Sequence, residues 1–333
     1  MIGVAVIGLG NALEPHARSL LDLQDRVRVV WAAAQSAERT REVTQKYGFP
    51  GTTDALRALR DPAVDAVMVL TPANVHLDIA EAAFAAGKHV LCEKPLEASL
   101  DRAERLIAAG RTAKRRLGVV LQLRFRAGSR RLKQVLDEGA LGKVQAASMA
   151  VPWWRPQAYY DQPGRGVKAR DGGGVLITQA IHTLDLFRWL VGIQSVEAAQ
   201  VRTTDLHRME TEDYASALVR LGDGAPGTII ATVAAYPGSA EWIQIISSKG
   251  TARLEGGSLR LSFLDGREEV LVDESGSGSG ANVMGFSHEP HKAVLSDFLD
   301  AIEQDRDPAI PGEEAIATQR LIEEIISKGG MRR

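Results

Sequence analysis

Residues 2–13 read IGVAVIGLGNAL. The first six are apolar and β-prone, and they run straight into Gly8. A short apolar run that stops at a glycine turn is the pattern of a fully buried parallel strand. A helical pattern follows over 14–23. Outward from there the chain alternates. β-rich runs at 27–34, 64–70, 89–92 and 119–121 are separated by helical stretches at 37–47, 54–59, 75–86 and 100–115. Strand–helix alternation with short connections predicts an α/β fold with a doubly wound parallel sheet. Ligands of such sheets gather at the carboxyl ends of the strands. The residues that follow each strand are therefore the ones to read.

At the first strand end, Gly8 permits a tight turn and Gly10 lets the backbone approach a pyrophosphate at a helix N-terminus, with Asn11 beside it. The third fingerprint position, usually Gly or Ala, is Leu13, and Pro15 fits a first helical turn. At the second strand end stands Ala34-Gln35-Ser36, with no carboxylate for a ribose 2′-hydroxyl. Ser36 and Arg39 are candidates for contact with a 2′-phosphate; Arg39 as a solvated helix charge is the plain alternative. The cofactor expected is NADP or NAD, with a lean to NADP. Thr71, Pro72, Asn74 and His76 follow the third strand, Glu93 and Lys94 the fourth, and Gln122 the fifth. Pro95 keeps Lys94 out of helix. A lysine projecting there can hydrogen-bond a reacting hydroxyl or carbonyl.

Beyond residue 122 the pattern changes. A helix at 128–138 and a strand at 143–151 lead into an aromatic loop holding Trp153, Trp154, Arg155, Tyr159 and Tyr160, which runs to Gly174. Strands are expected at 196–205, 214–221, 227–235, 242–248, 251–255, 259–264 and 268–272, as an antiparallel sheet. Helices at 291–304 and 313–327 close the chain, and SGSGSGAN at 275–282 reads as a flexible loop. Between loop and sheet, DGGGVLITQAIHTLDLFRWLVG spans 171–192. One helix starting near Val175 would put Thr178, His182 and Asp185 on a single stripe, the wall of a polar pocket. A capped core helix with one satisfied histidine is the bland alternative.

Composition narrows the classes. The chain has 333 residues, 40 basic and 42 acidic side chains and a net charge of −2. That balance gives no support to a nucleic-acid or polybasic membrane footprint, and neither partner is expected. The one cysteine, Cys92, excludes an internal disulfide framework. No apolar run approaches the ~18 residues of a spanning helix, and no targeting segment is read, so a cytoplasmic protein is expected. His76, His182, His207, His288 and His291 show no ligand spacing, and no metal is expected.

GLG at 8–10, TPANVH at 71–76 and CEKP at 92–95, in this order and spacing, resemble the Gfo/Idh/MocA oxidoreductases. The resemblance implies a Rossmann domain, residues 1–121. A second α/β domain with a large, mostly antiparallel sheet would span 122–333, with the C-terminal helices free to pack back on the first. It implies hydride transfer between a nicotinamide cofactor and a sugar-like small molecule, and homodimers or homotetramers built on the sheet. It also implies catalysis by Lys94 and His182. Relatives carry an acid where Thr178 stands, so Thr178 would position a hydroxyl rather than take a proton. Arg124, Trp154 and Arg155 are candidate substrate contacts beside Lys94, Thr178 and His182. The cations Arg165, Lys168 and Arg170 hint at a carboxylated or phosphorylated substrate. The competing reading is a non-catalytic cofactor- or sugar-sensing regulatory protein on the same scaffold, supported by Leu13 and Thr178 and opposed by retention of Lys94 and His182.

Overall fold

A computed structural model describes residues 1–273 and 287–330; the SGSGSGAN stretch lies outside the described residues. These fall into two compact units: Met1–Gln122 with His288–Ala317, and the remainder.

The first unit is built on a six-stranded parallel sheet in the order β3-β2-β1-β4-β5-β6. The strands are β1 (Ile2–Ile7), β2 (Val27–Ala33), β3 (Gly51–Thr52), β4 (Ala66–Val69), β5 (His89–Cys92) and β6 (Leu117–Val119). All six residues of β1 are buried, as a strand covered on both faces requires. Helices α1 (Leu13–Asp22), α2 (Ala37–Tyr47), α3 (Ala55–Arg60), α4 (His76–Ala85) and α5 (Leu100–Ala113) connect them. The strand order reverses between β1 and β4, which makes their carboxyl ends the switch point. The two-residue β3 was not foreseen, because Gly51-Thr52 is too short to show alternation. The last strand ends at Val119 and not Leu121, since 122–125 turn into a 3-10 helix.

The second unit holds eight strands in the order β14-β13-β12-β11-β7-β10-β9-β8. They are β7 (Val144–Pro152), β8 (Ile193–Arg202), β9 (Tyr214–Leu221), β10 (Pro226–Thr232), β11 (Trp242–Ser247), β12 (Gly250–Glu255), β13 (Ser258–Phe263) and β14 (Glu268–Leu271). Every pairing is antiparallel except β7 with β10. On β9 and β10 buried residues alternate with exposed ones, so one face is cored and the other open. Helices α6 (Ala127–Asp137), α7 (Gln157–Tyr160), α8 (Lys168–Asp171), α9 (Val175–Thr178) and α10 (Ile181–Val191) belong here. The loop expected to reach Gly174 thus contains two short helices.

The chain returns to the first unit near its C-terminus, the packing-back left open in the sequence reading. Helix α11 (Glu289–Glu303) packs on α1, and Arg26 donates to Asp300 (2.6 Å), Glu303 (2.7 Å) and Ser296 (3.1 Å). Helix α12 (Gly312–Lys328) starts in the first unit and belongs to the second from Thr318 on. One expectation is corrected: 175–191 is not one helix. It is interrupted at Gln179 and Ala180, where the Ala180 N–H donates to Val175 O (2.8 Å) instead of continuing the i to i−4 ladder, so Thr178 and His182 stand on separate helices. No helix of the described residues is long and apolar enough to cross a membrane.

Candidate functional site

The glycine turn comes first. Gly8 has φ +101°, and a Cβ there would stand 2.7 Å from the backbone of Leu70 and Thr71. Only glycine fits against the end of β4. A Cβ at Gly10 would meet nothing within 4 Å. Space is therefore open before α1, whose N-cap residue Ala12 offers no side-chain hydrogen bond. Amides and the positive end of the helix dipole face that space, which suits a pyrophosphate. Leu13 is buried in the core and puts no bulk into the turn. Asn11, Pro72 and Asn74 are exposed, and Thr71 and Gln122 half-buried. The Thr71 hydroxyl and the Gln122 side-chain oxygen are buried without hydrogen-bond partners among the described residues. The residues present fit a dinucleotide.

At the end of β2, Ala34 is half-buried and Gln35 exposed. The Ser36 hydroxyl accepts from Arg39 N (3.2 Å) and so caps α2. Arg39 donates Nε to Leu9 O (2.6 Å) and Nη1 to Glu42 (2.9 Å), tying α2 to the glycine turn.

At the end of β5, Glu93 accepts from His16 Nε2 through Oε1 (2.7 Å) and from Lys94 N through Oε2 (3.0 Å). Burial pushes the Glu93 carboxyl up, but the His16 hydrogen bond and the charges of His16, Lys94 and His291 outweigh it and hold it at about 2. Lys94 is half-buried, and its peptide bond to Pro95 is cis. His76 is buried rather than open to a cofactor. Its Nε2 lies 2.8 Å from Thr71 O and its Nδ1 3.3 Å from Cys92 Sγ. Nδ1 also faces the Pro95 and Leu96 carbonyl oxygens, at 3.1 and 3.3 Å, and burial pushes the Cys92 thiol well up in pKa. His76 therefore clasps the β4 and β5 turns together.

In the second unit, the glycines at 172–174 lead into α9. A Cβ on Gly174 would stand 1.9 Å from Glu212 O. The Glu212 carboxylate accepts from Gly174 N (3.0 Å) and Leu176 N (3.1 Å), and its carbonyl accepts from Val175 N (2.8 Å). An acidic side chain on the α9 amides fixes the helix that carries Thr178. The Thr178 hydroxyl donates to Gly174 O (2.6 Å) and lies against the Gln179 amide oxygen. Thr178 and His182 are half-buried. Thr178 and Gln179, with Tyr159, Tyr160 and Arg165, border a small pocket of about 10 Å³, room for roughly one water.

Asp185 is not part of a pocket wall. It is fully buried, accepting Arg124 Nε and Nη2 at 2.6 Å each and the Thr318 hydroxyl at 2.9 Å. Arg124, expected to meet substrate, is thus engaged in the core. Arg155 is 2% exposed and donates to Trp154 O (2.8 Å). Burial pulls its pKa down. Trp154 is half-buried, 5.8 Å from the His207 ring. His207 bridges Asp213 (2.7 Å) and Arg155 O (2.8 Å). Of the loop cations, Arg165 stacks over Tyr159 (4.8 Å) and Arg170 pairs with Asp171 (3.2 Å).

Sequence reasoning missed Glu212, Asp213 and His16. His16 was legible: with Leu13, Ala17 and Leu20 it completes the buried stripe of α1. Glu212 and Asp213 carried no motif. His16, Glu93 and His291 form a buried group with donor atoms within 4.8 Å of one another, an arrangement the histidine spacing did not reveal. Asp22, His288 and Glu289 make an exposed one, with the Lys292 ammonium on Asp22 (3.1 Å).

Residues 2–121 match the model of an oxidoreductase family with an NAD-binding Rossmann fold, and residues 129–253 the GFO/IDH/MocA C-terminal domain. Myo-inositol 2-dehydrogenase of Thermotoga maritima is 28% identical over 323 residues, 93% of this chain and 91% of that protein. The 1,5-anhydro-D-fructose reductase of Ensifer adhaerens is 28% identical over 299 residues, 86% of this chain and 84% of its own. The WlbA dehydrogenase from Bordetella pertussis, solved with NADH and UDP-GlcNAcA, superposes with a TM-score of 0.87. It is 27% identical, and the match covers 98% of this chain and 95% of that one. The chain belongs to the Gfo/Idh/MocA oxidoreductases, with the family's NAD-binding Rossmann fold followed by its C-terminal domain.

Proposed function

We propose that the protein oxidises a secondary hydroxyl of a sugar, polyol or sugar acid, or reduces the matching ketone, using NAD(H). The observation that carries this reading is the open glycine turn at the switch point, with Lys94 on a stiff turn two strands away. Relatives named as inositol and anhydrofructose enzymes support the substrate class. Gly8, Gly10, Asn11, Thr71, Pro72, Asn74 and Gln122 would hold the cofactor, which when bound supplies the hydride acceptor. Lys94 Nζ hydrogen-bonds the reacting oxygen and favours its deprotonation. His182 takes the hydroxyl proton, as a group with an ordinary pKa near ~6.5 can at neutral pH. Thr178 holds a neighbouring hydroxyl. A threonine accepts a hydrogen bond but not a proton, which leaves the base role to His182.

NAD(H) is proposed over NADP(H). The Ser36 hydroxyl caps α2 and the Arg39 guanidinium is engaged by Leu9 O and Glu42, so both candidate phosphate ligands have other work. Gln35 is the side chain offered to a ribose hydroxyl. Self-association through the open sheet face, where Leu218, Ile230 and Ile246 are exposed, is proposed as well; sedimentation will show a dimer or tetramer if it holds.

The test is NADH formation at 340 nm from NAD⁺ with myo-inositol, scyllo-inositol, levoglucosan, hexoses and their uronic acids. Lys94→Ala and His182→Ala should each lower turnover on the best substrate by about 10²-fold or more, with NADH affinity kept. Wild-type turnover in Lys94→Ala would end the mechanism. Tight NADH binding with no turnover across the panel would favour the sensor.

A further inference from the structure

The His16–Glu93 contact does no chemistry in the reaction above, yet it joins two parts of that machinery. His16 lies in the first turn and a half of α1, the helix that opens at the glycine turn. It is 1% exposed. Its Nε2 meets one Glu93 oxygen at 2.7 Å, and the other Glu93 oxygen accepts the backbone N–H of Lys94 at 3.0 Å. One carboxylate therefore holds the cofactor helix with one oxygen and the lysine turn with the other. His291 closes the cluster from α11, its ring edge-on to His16 with centroids 5.2 Å apart.

A buried carboxylate stays charged only where donors and positive charge surround it, and bonds to a charged oxygen are the stronger kind. His16 Nδ1 has no hydrogen-bond partner among the described residues, so Glu93 is the polar contact of that ring. The contact is a hydrogen bond and not a pair of metal ligands: two donors on one tetrahedral zinc at about 2.0–2.1 Å would stand about 3.3 Å apart.

We propose that His16 is a positioning residue for Lys94. Through Glu93 it fixes the backbone of the lysine turn to α1, so a pyrophosphate seated on the α1 N-terminus also stiffens the turn that carries Lys94. Its consequence for turnover rests on the reading of Lys94 given above; the link itself needs no substrate.

The experiment uses full-length protein labelled with [¹⁵N]lysine, which gives ten backbone signals, with Lys94→Arg assigning the one from Lys94. The probe is NADH. In the wild type, NADH should shift the Lys94 amide and slow its hydrogen exchange. In His16→Ala the amide should exchange roughly tenfold faster or more, and lose its response to NADH, while NADH still binds. His16→Gln, whose Nε2 can donate to Glu93, should restore both. Glu93→Gln, which keeps the size and removes the charge, should move exchange the same way as His16→Ala and serves if that variant does not fold.

With the best substrate of the panel, His16→Ala should lose kcat while KM for NAD⁺ stays within about threefold. A Lys94 amide indifferent to His16→Ala, or His16→Gln as defective as alanine, would overturn the proposal. If Lys94→Ala retains turnover, the reading of Lys94 fails while the exchange result stands. If Lys94→Ala is inactive and the amide ignores His16, the link alone fails.

Discussion

Asp185→Asn tests the correction at α10. The Asp185 carboxylate accepts two Arg124 N–H groups at 2.6 Å and the Thr318 hydroxyl at 2.9 Å, with Arg188 at 3.8 Å. Neither Asp185 nor Arg124 reaches solvent to any useful degree: their side chains are 1% and 5% exposed. An asparagine of the same shape takes away the carboxylate that holds two Arg124 N–H groups in the core, with the Arg188 cation close by. Removing one partner of a buried pair costs about 3–5 kcal/mol. For a unit of this size each kcal/mol moves the melting midpoint by ~2–4 °C, so the drop is on the order of 6–20 °C. Scanning calorimetry of wild type and variant at pH 7 reads it. The cost arises from breaking a buried charge pair on one side only, so Arg124→Met with Asp185→Leu should recover most of the loss. A midpoint within about 2 °C of wild type would refute the reasoning, and a double variant no better than the single would place the loss in packing.

Gly174→Ala puts a Cβ 1.9 Å from Glu212 O, so backbone must move; a melting loss equivalent to about 1–3 kcal/mol is expected by calorimetry. Acid titration of stability reports on the first unit. Burial, aided by the charges of Arg115 and Arg116, lowers the His89 pKa to about 4 from an ordinary 6.5. Unfolded chains take up that proton first, so stability is whole above about pH 6.5 and declines as pH falls toward about 4. His89→Gln should flatten that limb in urea titrations from pH 7 to 4. Glu93, held at about 2, adds a loss below about pH 4.5 that Glu93→Gln removes.

The first unit was legible because its signals are local. A buried strand meeting glycine, a lysine before proline and a 3.6-residue stripe each need only neighbours in sequence. The second unit shows where such reading stops. Thr178, His182 and Asp185 have the spacing of one helical stripe, but the helix breaks at Gln179 and Asp185 turns to Arg124, sixty-one residues away. Periodicity assumes a continuous helix and cannot register a distant cation. Glu212 carries the same lesson. Its role lies in amides at 174 and 176, thirty-eight and thirty-six residues off, which the fold alone brings to it. His16 fell between the cases: its place on the buried face of α1 was visible, its partner Glu93 was not.

The account depends most on the glycine turn as a cofactor seat. The direct measurement is a titration of purified, cofactor-free protein with NADH, followed by nicotinamide fluorescence, beside Gly10→Ala. A Cβ at residue 10 touches nothing in the protein, so the variant should melt like the wild type. It occupies the space needed by the pyrophosphate, so its affinity should fall about tenfold or more. One saturable NADH site per chain, tighter than for NADPH and weakened in Gly10→Ala, is the result predicted. Folded wild-type protein that binds neither nucleotide, or Gly10→Ala that binds NADH as well as wild type, would contradict it.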